Sequence, residues 1–333
     1  MVEFRQIIRN EEILDPNWIP SKILHREREL REIKESIKPL FDGRRAANLF
    51  IYGRTGVGKT ACVKYILKEI KEKSDVAAIY VNCWENPKQH SIFLEIARQI
   101  GRIFPSKGVR SDDVQEVILN YLLDRKSVLV FDEIDKSEKQ DFLYPIAQNL
   151  MKNSCIILIT NYKEFILSLD ERVLSRLMLQ NLEFKDYEYE EVFNILKERV
   201  RLALSPRVMS KKAFERIVLE AYKAMDIRVG LSLILNSARI AEFELSNQIK
   251  EEHVEKALEK LSIKKEPKLS EQEELVYRII KEKKEIWAKD LYDMFVERGG
   301  SVGERSFRNY LRKLEKYGLI EILGEKRRKI RLR

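Results

Sequence analysis

Between Asn48 and Asn161 four short apolar runs are separated by stretches of helical periodicity, and this alternation constrains the fold more than any other feature of the chain. The runs are NLFIY at 48–52, VAAIYVN at 76–82, SVLVFD at 127–132 and SCIILIT at 154–160. Each is nearly unbroken by polar residues, so each reads as a strand buried on both faces. Strands joined through helices pair in parallel, because a parallel neighbour requires a crossover connection. The expected product is an α/β domain with a parallel sheet and helices on both faces.

From about Asp186 the strands cease. Helical patterns cover 187–203, 210–224, 228–246 and 251–262, an all-α second domain. SIKKEPKLS, 262–270, is polar and contains proline, and it reads as a linker. Helical patterns at 271–284, 286–298 and 303–317 follow, and then LIEIL and KIRLR flank GEKR. Three helices and a β-hairpin are the layout of a winged helix. The expected domains are therefore 1–185, 186–265 and 266–333.

GRTGVGKT, Gly53–Thr60, matches GxxxxGK[ST] after a strand and before a helix, which is the context a phosphate-binding loop requires. Its glycines let backbone N–H groups turn toward phosphates, and the helix N-terminus adds its dipole. Gly53, Thr55, Gly56, Val57, Gly58 and the adjoining Ala61 are the expected backbone contacts. Lys59 is placed to reach β- and γ-phosphates, and Thr60 to offer a hydroxyl to Mg²⁺. VLVFDEID, 128–135, supplies a second half: Asp132 ends an apolar strand beside the metal, and Glu133 follows as general base for an attacking water. Asn161 ends the next strand, where it can help orient that water. ATP or ADP with Mg²⁺ is the cofactor these residues imply.

The chain carries 63 Lys+Arg against 54 Asp+Glu, a net charge of +9, which favours a polyanionic partner. The excess is uneven: Pro267–Arg333, one fifth of the length, holds two thirds of it. SVGERSFRNYLRKLEKYGLI, 301–320, reads as a recognition helix. Ser301 and Glu304 have capping-box spacing, Phe307, Leu311 and Leu314 form a core stripe, and Arg305, Ser306, Arg308, Asn309, Arg312 and Lys316 fall on other faces. Laid in a major groove, such a face offers Arg and Asn to base edges and phosphates of double-stranded DNA. The hairpin is then the wing, with Lys326, Arg327, Arg328 and Lys329 toward phosphates or the minor groove. A winged helix that serves protein contacts, with a basic solvated edge, is the other reading of the same residues. The three cysteines, Cys62, Cys83 and Cys155, are scattered and there are three histidines, so neither a zinc site nor a disulfide framework is expected. The N-terminus has no apolar core of a signal peptide and no run approaches ~20 apolar residues. A cytoplasmic, nucleoid-associated protein is expected.

Together these motifs resemble the AAA+ ATPases, and more closely the archaeal Orc/Cdc-type initiator family, related to the origin recognition complex and the Cdc-type helicase loader of eukaryotes. The resemblance is carried by WIPSKILHREREL (18–30), the phosphate loop, VNC (81–83), DEID, ITN, LDERVLSRL (169–177), FKDYEYEEVFNILKERV (184–200) and the C-terminal module. It implies that Pro20, His25 and Arg26 line an adenine pocket and that Tyr187 and Arg199 contact nucleotide from a helical lid. It implies that Arg228 reads the γ-phosphate, although the family's Gly-Asp-Ala-Arg is here Met225-Asp226-Ile227-Arg228. Arg172 or Arg176 is the implied arginine finger. A helical insertion in 89–125 would bring Lys107 and Arg110 to DNA. The implied function is a slow, switch-like ATPase that binds origin DNA and helps recruit the replicative helicase, with a paralogous initiator subunit as a further partner. A clamp-loader-like or transposition-type AAA+ subunit, or a DNA-binding regulator with a non-catalytic nucleotide domain, fits the same motifs.

Overall fold

The computed structural model describes residues 6–104, 110–263, 269–317, 319–324 and 328–332, the side chains of 261–263 and 316 excepted. Lys107, Lys326, Arg327 and the Lys316 side chain lie outside the described residues. The chain forms two compact units, Met1–Ala257 and Leu258–Arg333. The nucleotide domain and the helical domain expected to part at 185 share the first unit. The second boundary falls at 257/258, ahead of the expected 265/266, within a helix that runs from Glu251 to Ile263.

The first unit is built on five parallel strands: β1 (Leu49–Tyr52), β2 (Ala77–Asn82), β3 (Ser127–Asp132), β4 (Ser154–Thr160) and β5 (Gln180–Glu183), in the order β2-β3-β4-β1-β5. Helices α1 (Glu27–Phe41), α2 (Lys59–Lys73), α3 (Gln89–Gln99), α4 (Ser111–Leu123), α5 (Leu143–Asn149) and α6 (Glu171–Leu177) cover it. Period-two alternation splits each of β1 to β4 between two cores. Phe50, Ile79, Val81, Phe131 and Leu158 meet Ile92, Phe93, Ile118 and Phe142 on one face. Ile51, Val128, Val130, Ile157 and Ile159 meet Ile33, Ile37, Val63 and Ile66 on the other. The four apolar runs are strands, as expected. β5 is an addition: it is an edge strand with Leu182 as its buried residue, so it has no apolar run to reveal it.

The lid helices are α7 (Tyr189–Ala203), α8 (Lys211–Ala224), α9 (Ile227–Phe243) and α10 (Glu251–Ile263). An N-terminal strap crosses them. Ile7 and Ile8 donate their N–H groups to Glu242 Oε1, both at 3.0 Å, and those of Arg9 and Asn10 reach the Ala203 carbonyl at 2.9 and 3.0 Å.

In the second unit α11 (Glu271–Lys283), α12 (Ala288–Glu297) and α13 (Glu304–Lys316) pack with β6 (Glu285–Trp287), β7 (Ile320–Leu323) and β8 (Lys329–Leu332). The strands form an antiparallel sheet of order β6-β8-β7 around a core that includes Ile279, Ile280, Leu291, Phe295, Phe307, Leu311 and Leu314. This is a winged helix with a third strand, the three-residue β6, too short to show in sequence. The expected Ser301–Glu304 cap does not form: Gly303 is the N-cap of α13 and no side chain caps it. The reciprocal box sits instead on α11, where Ser270 Oγ accepts from Glu273 N–H and Glu273 Oε2 accepts from Ser270 N–H at 2.8 Å. Glu273, nearly buried, also accepts Lys313 Nζ on both oxygens at 2.8 Å and so ties α13 to α11.

Candidate nucleotide site and nucleic-acid interface

At the carboxyl end of β1 the chain turns through the glycine loop into α2. Gly56 and Gly58 have φ of +85° and +92°, a region side chains strain to enter. A Cβ at Gly56 would lie 2.3 Å from Asp226 Oδ1, and one at Gly58 2.7 Å from the Tyr187 hydroxyl. The loop is thus pressed from above by two lid residues and leaves its backbone free to curve. Beside it opens a cavity of about 540 Å³, within the usual range for small-ligand sites. Pro20, Thr55, Gly56, Gly58, Lys59, Thr60, Ala61, Asp132, Glu133, Asn161, Tyr187, Arg199 and Arg228, all expected from sequence, line it.

The polar groups at its floor hold one another. Lys59 Nζ donates to the carbonyls of Gly53 (2.7 Å) and Arg54 (2.8 Å) and to Asn161 Oδ1 (2.8 Å). Burial pushes its pKa down to about 8, with Asp132 opposing and Arg228 reinforcing the shift. Thr60 Oγ1 donates to Asp132 Oδ2 at 2.6 Å, the Tyr80 hydroxyl donates to the same oxygen at 2.8 Å, and Glu133 N–H reaches Oδ1 at 2.8 Å. Glu133 itself has a left-handed backbone, φ +51°, that turns it out of the strand. Burial and then the charges of Asp132 and Asp135 raise its pKa. The set fits a magnesium–nucleotide pair: one hydroxyl and one carboxylate suit an ion that keeps several waters and takes its other ligands from phosphates.

Several expected contacts lie elsewhere. Gly53 and Val57 are absent from the lining; Val57 is buried in the core beneath the loop. Arg26, only 4% exposed, stacks 3.8 Å from the Tyr187 ring centroid and donates to the carbonyls of Val57 (3.1 Å) and Lys185 (2.6 Å). It is a strut between loop and lid behind the cavity, and His25 faces Glu191 at 3.9 Å. Arg199 lines the cavity but is engaged: it donates to the carbonyls of Ile13 (2.7 Å) and Trp18 (3.3 Å), lies over the Trp18 ring, and burial lowers its pKa to about 10. Arg228 is gripped by Asp226, the cap of α9, through Nε (3.0 Å) and a terminal nitrogen (2.7 Å). Arg172 closes on its own helix cap, Asp170, at 2.9 Å. Arg176 is exposed against Tyr144. Neither lines the cavity. Sequence reasoning missed Trp18, Lys64, Tyr80 and Asp226; Tyr80 had a signal, since it directly precedes VNC in a strand that ends beside the loop.

In the second unit Arg305, Ser306, Arg308, Asn309 and Arg312 are exposed on α13, opposite the buried Phe307, Leu311 and Leu314. Arg308 is held by Glu304 at 2.9 Å. Among the described residues Arg305 and Arg312 have no ion-pair partner. Arg328 is exposed, whereas Lys329 pairs with Glu285 at 3.3 Å beside the Trp287 ring, so it is part of the sheet and not a free wing cation. Arg110, before α4, is exposed and lies 3.8 Å from Asp112. Among the described residues no helix is long and apolar enough to cross a membrane, and none forms a cluster of metal-ligating side chains.

A phosphate loop set against a strand-end Asp-Glu, with a helical lid folded over both, defines a P-loop nucleotide-binding protein of the AAA+ class. Residues 43–166 match the family model of an AAA domain, and 193–259 that of a Cdc6 AAA+ ATPase-type lid domain. The chain belongs to the family of ORC1-type DNA replication proteins. It is 32% identical over 269 residues to ORC1-type DNA replication protein 1 of Archaeoglobus fulgidus, an alignment covering 77% of this chain and 66% of that one. To ORC1-type DNA replication protein 1 of Halobacterium salinarum it is 31% identical over 305 residues, 88% of this chain and 96% of the relative. The structure of the Aeropyrum pernix ORC1 protein in complex with DNA is similar to it with a TM-score of 0.78 and 25% identity, over 98% of this chain and 94% of that one.

Proposed function

We propose that this protein is a replication initiator that binds origin DNA through α13 and the hairpin after it, and that ATP is its switch. The observation that carries the reading is the presence, in one chain, of a lidded phosphate loop with Thr60 on Asp132 at 2.6 Å and of a helix with exposed arginines opposite its core stripe. Lys59 and the loop backbone would take the phosphates, as charged donors in a desolvated pocket do. Magnesium, held by Thr60 and Asp132, neutralises phosphate charge when bound. Glu133, with its raised pKa, is suited to accept a proton from water, and Asn161 to hold Lys59 or that water. Arg228, paired with Asp226 at the start of α9, already lines the cavity and is the lid residue nearest in role to a γ-phosphate reader. Slow, switch-like hydrolysis belongs to the same reading. The name of the DNA-bound Aeropyrum pernix structure supports DNA as the partner; recruitment of the replicative helicase and pairing with a related subunit belong to the same reading.

Footprinting of the full chain on genomic DNA in the presence of ATP and Mg²⁺ tests it. Discrete protected sites are expected, and Arg305→Ala with Arg312→Ala abolishes them. Protection that follows DNA structure without sequence preference would instead fit an ATPase of the clamp-loader or transposition type.

A further inference from the structure

Asp132 Oδ2 accepts two hydroxyls at once, Thr60 at 2.6 Å and Tyr80 at 2.8 Å. Thr60 has a second use, because in a P-loop this hydroxyl turns to the metal. Tyr80 has none: it reaches the carboxylate from the neighbouring strand, with Asn82 and Asp132 in register two residues on. Its strand is a sheet edge, whose outward N–H and C=O would ordinarily be left to water. Here a single side chain satisfies both. Gln99, at the end of α3, accepts from Tyr80 N–H at 3.0 Å and donates to Tyr80 C=O at 2.6 Å, and Glu95 holds the same amide at 2.7 Å. Lys64 of α2 covers the ring at 4.5 Å from its centroid. The phenol is therefore fixed at its backbone, its face and its tip.

We infer that Tyr80 is a positioning residue for the magnesium site: it holds Asp132 in the orientation the metal needs, and Gln99 holds Tyr80. The inference rests on the reading of the cavity as a magnesium–nucleotide site. Partners behind a ligating carboxylate typically change metal affinity about 10–100-fold when removed. Tyr80 thus sets the metal dependence of nucleotide binding and leaves the metal-free contacts of Lys59 and the loop alone.

Calorimetric titration of ATP into the full chain, first in EDTA and then over a series of MgCl₂ concentrations, tests this. For Tyr80→Phe, ATP affinity in EDTA stays within about twofold of the parent, while the MgCl₂ concentration giving half of the metal-dependent gain rises about tenfold. Gln99→Met moves that midpoint the same way by less, and decides alone if Tyr80→Phe does not fold. The retention of Mn²⁺ in the ATP complex, read by electron paramagnetic resonance, falls in parallel. A midpoint within twofold of the parent overturns the inference, and so does an equal loss of affinity with and without metal, which would mark a merely structural tyrosine. A parent chain that gains no affinity from MgCl₂ overturns the site reading itself, and that result is seen before any variant is made.

Discussion

The cavity floor and the outer face of α13 both concentrate charge, and they handle it in opposite ways. In the cavity Lys59, Asp132 and Arg199 are wholly or partly buried, and each is already hydrogen-bonded to a neighbour. On α13 the arginines stand in water, and among the described residues Arg308 alone of the three is tied to a carboxylate. A buried charge must be compensated within the fold, so its geometry is fixed before a ligand comes. An exposed one is screened, mobile and inexpensive to keep, so it suits a partner that is itself a long array of charges. The first arrangement distinguishes one ligand's shape; the second supplies attraction and leaves selectivity to the few side chains that reach base edges.

The contrast is broken most severely at the loop. Lys59→Ala removes charged hydrogen bonds of about 1.5–3 kcal/mol each, and ATP affinity by calorimetry falls about 100-fold or more. DNA affinity of the same variant in the absence of nucleotide stays near that of the parent. Glu133→Gln keeps ATP binding and lowers turnover about 100-fold, the scale of a general base; unchanged turnover would favour a non-catalytic nucleotide domain. On the other side of the comparison, Arg305→Ala with Arg312→Ala weakens duplex binding by roughly 10–100-fold. For every phosphate that an arginine no longer neutralises, the slope of log affinity against log salt also flattens by about 0.9, measured by fluorescence anisotropy. The mildest test is pH. An ATP phosphate beside Lys59 raises its pKa from the value of about 8 that burial gives it. Protonation therefore favours binding. Affinity is full below about pH 8 and falls, by about tenfold per unit, as pH climbs from there toward the higher pKa of the complex. A flat profile between pH 7 and 10 would remove Lys59 from the phosphate contacts.

How much of this was legible in sequence follows burial pattern. β1 to β4 are covered on both faces, so their residues are apolar but for a few polar ones at the strand ends, and the strands announce themselves. β5 buries one residue of four and β6 spans three, so neither carries a periodic signal. Capping chemistry was misplaced for a different reason. Ser301/Glu304 and Ser270/Glu273 have the same spacing, but α11 starts directly after Ser270, where Glu273 also takes Lys313, whereas α13 starts at Glu304 with Gly303 as its cap and Ser301 N–H goes to Gln272. The loop residues and Asp132 were readable because their chemistry needs particular residue types at a fixed spacing. The roles of Arg26 and Arg199 were not, since a motif reports that an arginine lies near a site but not which carbonyls claim its donors first.

Arg199 carries a consequence for the order in which the molecule is made. One wall of the cavity, Pro16–Pro20, belongs to a segment held by Arg199 on α7 and, through Ile7 and Ile8, by Glu242 on α9. Those anchors are translated some two hundred residues after the segment they hold. On a ribosome the glycine loop, Asp132 and Asn161 can all be in place while that side still gapes, and the pocket is completed only when synthesis has passed Phe243. A nascent chain thus cannot gain the full stabilising grip of a bound nucleotide until its lid exists.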